Sequence, residues 1–295
     1  MIFEIKSLDN RILYSLEKSE MFPDYRSVLQ EALAFGIDLT GLLVKDENID
    51  NLQFNRFKIN DVRFENCSMV NVQFIESEGD SIRFSGCNLN RIKFKRSKIS
   101  EIHFYKSKMN KAHFIKSVFP DLHLDECNLS SSEFHECQIN KSDFCNCNLP
   151  KTVFKHSSLQ KARFAGRVSE DGWMQDVRFE FCEMEECDLE RIKNLGILYI
   201  NESNIDHAFT NNANFTKLST FKLSILYAIE SDIVWMNDNS DSLLNVSFRG
   251  SFTDFKKEVD ASYPELYVQY FADDFPGDWI DKACKYLEVW KEYKN

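Results

Sequence analysis

The sequence predicts an all-β solenoid, and three observations predict it. A large apolar residue recurs at every fifth position from Leu39 to Phe164. A smaller residue, usually aliphatic, Cys or Ser, stands two positions before most of these centres. The chain also holds 26 Phe against only 9 Gly and 5 Pro, which calls for an architecture with many equivalent buried slots.

The centres run Leu39, Val44, Ile49, Phe54, Ile59, Phe64, Met69 and Phe74, then Gly79, and continue without insertion to Phe164. Only Gly79 fails to supply a large apolar side chain. A period of five fits neither a 3.6-residue helix nor a two-residue strand alternation. It fits a coil in which every five-residue face ends in a corner. The positions two before the centres, such as Val62, Ile82, Cys67, Cys87, Ser97 and Cys127, must then also point inward.

Stretches such as Cys87-Asn88-Leu89, Cys127-Asn128-Leu129, Cys147-Asn148-Leu149 and Ala213-Asn214-Phe215 carry a further resemblance. With Leu or Phe centres and a small residue two before, the sequence resembles the pentapeptide-repeat family, as a divergent, Phe-rich member. That resemblance implies a right-handed quadrilateral β-helix, with four faces per coil and residues twenty apart stacked. Sorting the centres by twenty agrees with it. Phe54, Phe74, Phe94, Phe114, Phe134 and Phe154 fall on one face, and Phe64, Phe84, Phe104, Leu124, Phe144 and Phe164 on the opposite one. The other two faces are mostly aliphatic. At a strand-like spacing close to 4.8 Å, residues 49–164 would form a rod roughly 28 Å long.

Three regions are expected. Residues 1–38 read as an N-terminal cap, a hairpin around Asp9-Asn10 followed by a helix from Pro23-Asp24 to Gly36 with Val28, Leu29, Ala32 and Leu33 on one face. Such a cap would cover an open solenoid end. Residues 39–216 read as the repeat β-helix, with a loop interruption near 165–176. The pattern returns in phase at Phe179, Met184 and Leu189, then shifts register and resumes at Ile200, Ile205 and Phe215. Residues 217–295 read as a small mixed α/β region, with strands at Ile233–Trp235 and Leu243–Phe248, an apolar segment at Phe221–Ile229 and a helix at Asp278–Tyr293.

Charge is unevenly spread along a chain whose net charge is −11. Residues 49–164 carry 18 basic and 13 acidic side chains, a net +5, between acidic ends of −4 and −12. Between residues 91 and 116, Arg91, Lys93, Lys95, Arg96, Lys98, Lys106, Lys108, Lys111 and Lys116 meet a single acid, Glu101. Because a coil turns four corners in twenty residues, this belt is expected to surround the rod. It is a candidate for binding nucleic acid or an acidic protein, and equally a solvated surface. His103 and His123, twenty apart, are expected to stack on an outward ladder of Arg63, Arg83, His103, His123, Asp143 and Arg163.

The nine cysteines are expected to be structural fillers, not metal ligands, since Cys127, Cys137 and Cys147 occupy slots where Ser stands elsewhere. Their odd number and the N-terminal sequence point to a reducing, cytoplasmic setting, and no apolar run approaches the ~20 residues of a membrane span. No hydrolase elbow, phosphate-binding Gly loop or metalloprotease signature is present, so no enzyme activity, cofactor or metal is expected. The expected function is a protein-interaction scaffold with an unidentified partner. The resemblance implies an alternative, a bacterial or phage DNA mimic that binds a type II topoisomerase such as gyrase, or another DNA-binding protein.

Overall fold

The computed structural model describes residues 1–165, 176–189, 198–201, 203, 217–218, 232–235 and 246–249. Strands β1 (Ile2–Ser7) and β2 (Ile12–Glu17) pair as an antiparallel hairpin whose turn holds Asn10 at φ 62°. Asn tolerates that left-handed conformation better than most residues. Helix α1 (Tyr25–Ala34) starts on a capping box: Asp24 accepts from the Ser27 amide at 2.8 Å, and the Ser27 hydroxyl accepts from the Asp24 amide at 3.3 Å. It ends in a Schellman motif. Gly36, at φ 64°, donates to Leu33, and Ile37 donates to Ala32. Val28, Leu29 and Ala32 are buried against the same core as Ile5, as their helical spacing predicts.

The coil then runs through β3 (Leu42–Lys45), β4 (Gln53–Asn55), β5 (Lys58–Glu65), β6 (Gln73–Ile75), β7 (Glu78–Ser85), β8 (Lys93–Lys95) and β9 (Lys98–Tyr105). It continues through β10 (His113–Ile115), β11 (Leu122–Asp125), β12 (Glu133–His135), β13 (Asp143–Cys145), β14 (Val153–Lys155) and β15 (Arg163–Ala165). Next come β16 (Val177–Glu180), β17 (Leu198–Asn201) and β18 (Lys217–Leu218). Odd-numbered strands from β3 to β15 stack in parallel, and β1 and β2 extend them to a nine-stranded sheet. The even-numbered strands from β4 to β16, followed by β17 and β18, make the second sheet of nine. Single parallel bridges hold the other two sides, Asn48–Ser68–Asn88–Lys108 on one and Lys98–Val118–Gln138 on the other. Partners lie twenty residues apart, as in Phe64–Phe84–Phe104, so the four-sided coil is as expected.

The axis is filled by phenylalanine. Along each sheet the rings stack, Phe74 on Phe94 at 4.7 Å and Phe84 on Phe104 at 4.8 Å. Across the axis they meet edge to face, Phe94 against Phe104 at 6.2 Å and 82°. Both are favoured ring arrangements. The small slots are buried as well, and a Ser or Thr there must satisfy its hydroxyl. Ser97 donates to the Phe74 carbonyl at 3.0 Å and Thr152 to that of Leu129 at 2.9 Å.

The corners hold what the periodicity does not show. From Asp46 to Lys161 every fifth residue lies at φ between 47° and 66°, except Asp121, which follows Pro120. Only Gly86 among them is glycine; the rest are mostly Asn, Lys, Arg, Glu and Ser. Left-handed backbone costs a non-glycine residue about 1–2 kcal/mol. Most corner amides offset part of that by donating to the next coil, as Asn51 does to Val70 at 2.8 Å and Arg91 to Asn110 at 2.9 Å.

Past Phe164 the stacking resumes with a longer step. Phe154 pairs with Phe179, so this coil holds one extra five-residue unit. Met184, Leu189, Cys182 and Cys187 occupy the slots assigned to them and are buried. Ile200 then pairs with Phe179, a step of one extra residue that accounts for the register shift. Residues 166–175, together with Ile205, Thr210 and Phe215, lie outside the described residues. In the C-terminal region β19 (Asp232–Trp235) and β20 (Val246–Arg249) form an antiparallel pair close to the two expected strands. Phe221–Ile229 and the expected helix at Asp278–Tyr293 lie outside the described residues. Among the described residues no helix is long and apolar enough to cross a membrane.

Candidate partner-binding surface

In a coil of this kind the centre and the small slot face inward, which leaves three outward positions per face: the two neighbours of the centre and the corner. All nine basic-belt residues occupy such positions. Lys93 and Lys95 flank Phe94 on β8 and are half-buried. Arg91 and Lys111 occupy the corner that leads into this sheet, and Arg96 and Lys116 the corner that leaves it. Lys98 opens β9 just beyond. Lys106 sits at the corner after Phe104, with its ammonium 4.7 Å from the Tyr105 ring centroid, and Lys108 sits beside Met109 on a third side.

The belt reaches more than one side of the rod but is unevenly spread over them. Six of the nine residues lie on one sheet or at its corners, the sheet built on Phe94 and Phe114, while Lys98 belongs to the other sheet. The reason is register: residues twenty apart stack, so the 91/111 and 96/116 pairs each double up on one corner.

Ion pairing divides the set further. Arg96 and Arg56 share Glu76, whose carboxyl they hold below the usual carboxylate range. Lys106 faces Glu126 at 3.8 Å and Lys116 faces Glu136 at 3.2 Å. The Lys106 ammonium is raised, first by its contact with Tyr105 and then by Glu126. Arg91, Lys93, Lys95, Lys98, Lys108 and Lys111 form no ion pair among the described residues. The cross-coil pairs were readable in the sequence as opposite charges twenty apart, a signal that a composition count of the belt hides.

The histidine ladder forms as expected. Arg63, Arg83, His103, His123, Asp143 and Arg163 succeed one another in register, and the two imidazoles stack at 4.7 Å. Partial burial, then His123 and Arg83, lower the affinity of His103 for its proton. Asp143 keeps one buried oxygen without a partner on the same ladder. Among the described residues no three His, Cys, Asp or Glu side chains converge in a way that could hold a metal ion.

The described cysteines are free thiols, all buried except the half-buried Cys145. Burial pushes Cys137 up to about 11 and Cys182 up to about 12. Such thiols are poor nucleophiles and poor metal ligands at neutral pH.

One outer cleft of about 350 Å³ lies where the repeat breaks, lined by Lys58, Asn60, Glu78, Gly79, Asp80, Lys98 and Ser100. Gly79 leaves no room for a side chain against the preceding coil: a Cβ there would stand 2.1 Å from the Ile59 carbonyl oxygen.

The family model for the pentapeptide repeat region matches residues 48–114 and 89–164. No curated protein sequence matches the chain. Among solved structures, the chain is similar to HetL, a pentapeptide repeat protein involved in heterocyst differentiation regulation from the cyanobacterium Nostoc sp. strain PCC 7120. That match has 12% identity over 65% of this chain and 91% of HetL, with a TM-score of 0.36. It is also similar to full-length QnrB1, a plasmid-mediated fluoroquinolone resistance protein, with 14% identity over 54% of this chain and 93% of QnrB1 and a TM-score of 0.24. The family match and the twenty-residue coil register agree over residues 48–164, so that stretch of the chain carries pentapeptide repeats.

Proposed function

We propose that the chain is a non-enzymatic scaffold that presents a rigid cationic surface to a protein partner. The observation that carries this reading is the group of cations around the Phe94 sheet. Most of them lack an acidic neighbour, and all stand on a backbone bonded to the coils above and below. Positive charge fixed on a stiff frame binds an acidic partner with little ordering cost. Burial raises the thiols of Cys137 and Cys182, which makes them poor nucleophiles and is in keeping with a role without catalysis. Free buried thiols also suit a reducing, cytoplasmic setting.

Mimicry of DNA toward a topoisomerase is disfavoured, because a mimic needs an acidic rod and residues 49–164 carry a net +5. A gyrase supercoiling assay separates the two. The scaffold reading predicts unchanged supercoiling at micromolar protein, and inhibition or relief of drug inhibition would replace it with the mimic reading. Affinity capture from a native lysate should return a stoichiometric partner that is lost at high salt. Capture of nothing at low salt would count against the scaffold itself.

A further inference from the structure

We propose that the partner of this surface is a short, extended acidic segment of a protein, lying across the Phe94 sheet along the strand direction with acids at alternate positions. The proposal rests on the scaffold reading and names its ligand.

Three features select that ligand. The first is spacing. Lys93 and Lys95 are alternate residues of the extended strand β8, so their side chains repeat at about 6.5–7 Å, and Arg91 stands at the corner just before them. An extended peptide repeats its same-side residues at that interval, and Glu or Asp at every second position would meet each cation in turn.

The second feature is the boundary of the patch. Along the rod axis acids follow on both sides: Glu76 precedes Arg96 by one coil and Glu78 precedes Lys98, while Glu133 and Glu136 follow His113 and Lys116. The unpaired cations therefore occupy only two coils. A nucleic-acid strand needs a longer run of phosphate contacts, and its backbone would continue over these carboxylates. A segment of about five residues crossing the face stays within the cationic zone, by the extended rise per residue.

The third feature is presentation. Lys95 stands on its ladder between Ile75 and Ile115, and Lys93 between Gln73 and His113, all half-buried. Packing of the aliphatic stems holds the ammonium groups upright toward solvent. The strand below already has both neighbours, so its backbone cannot accept a further strand, and recognition must run through these side chains.

The test uses the full chain and fluorescence anisotropy with a labelled Glu-Ser-Glu-Ser-Glu-Ser peptide. The comparison probes are a Glu-Glu-Glu-Ser-Ser-Ser peptide of equal charge and a short duplex DNA. The alternating peptide should bind most tightly and weaken as salt rises. The Lys93→Glu/Lys95→Glu double variant should lose about tenfold or more in affinity. A Lys151→Glu/Lys161→Glu variant, on corners two coils away or more, should retain binding, with circular dichroism confirming both folds.

Equal affinity for the two peptides would overturn the alternating register. Tighter binding of DNA would overturn the choice of a protein ligand, and undiminished binding by the Lys93/Lys95 variant would overturn the surface. The scaffold reading is decided separately, by the capture and supercoiling experiments.

Discussion

Truncating Phe104 to alanine tests the axial packing directly. The ring is 1% exposed, stacks on Phe84 at 4.8 Å, and meets Phe94 and Phe114 edge to face at 6.2 and 6.4 Å. Removing a buried side chain of this size forfeits about 2–3 kcal/mol of burial. Losing three ring contacts, at the low end of about 0.5 kcal/mol each, adds about 1.5 kcal/mol. The neighbouring coils are tied by backbone bonds on either side of the void, so collapse is limited, and the expected loss is about 4 kcal/mol. Chemical denaturation of the variant and parent, followed by circular dichroism, measures it. The exposed Met21→Ala serves as control and should shift stability by less than about 0.5 kcal/mol. A loss below about 1 kcal/mol for Phe104→Ala would refute the reasoning, because no buried axial ring could be removed so cheaply.

Four further outcomes are expected. Gly79→Ala should lower the midpoint of thermal unfolding clearly, since its methyl would meet the Ile59 carbonyl; an unchanged midpoint would mean that the coil has room to move apart there. Cys127→Ser should cost less than about 1.5 kcal/mol and leave the fold intact, because Ser already fills the same slot at Ser97, Ser107 and Ser157. Loss of folding or of a bound metal would contradict the filler role.

His103 holds its proton less tightly when folded than its ordinary value of 6.5. Its contribution to stability is therefore complete above about pH 6.5 and is lost as pH falls through the lowered value. Arg83, His123 and Asp121 face it, and His103→Gln should flatten the fall in stability between pH 7 and pH 5; an unaltered slope would remove His103 as its source. Glu76→Gln, which breaks two exposed pairs, should change stability by less than about 1 kcal/mol, and a larger loss would show that the ladder works as a network.

Much of this architecture was legible because the coil imposes one chemical demand per position. The axial slot wants a large apolar group, so Phe54 to Phe164 declare themselves, and the histidine ladder follows once twenty is known to be the repeat. The helix ends were legible for local reasons, Asp24 and Gly36 being a capping residue and a left-handed terminator. The corners were not. Left-handed backbone is normally signalled by Gly, yet here Lys, Arg, Glu and Asn adopt it, because an amide-to-coil bond rewards the geometry whatever the side chain. The clustering of the belt was missed for a related reason: charge was counted along the chain, while stacking adds it up across coils. The extra five residues before Phe179 preserve the phase of the pattern, so the periodicity alone could not reveal that one coil is longer.

The corner residues have one more consequence. Their side chains touch neither axis nor small slot, and their backbone shape does not depend on which side chain they carry. Four columns therefore run up the rod as an array of pegs, most of them open to replacement without disturbing what lies beneath. A chain with such columns can exchange one ligand preference for another by rewriting pegs, and its interior would record none of the change.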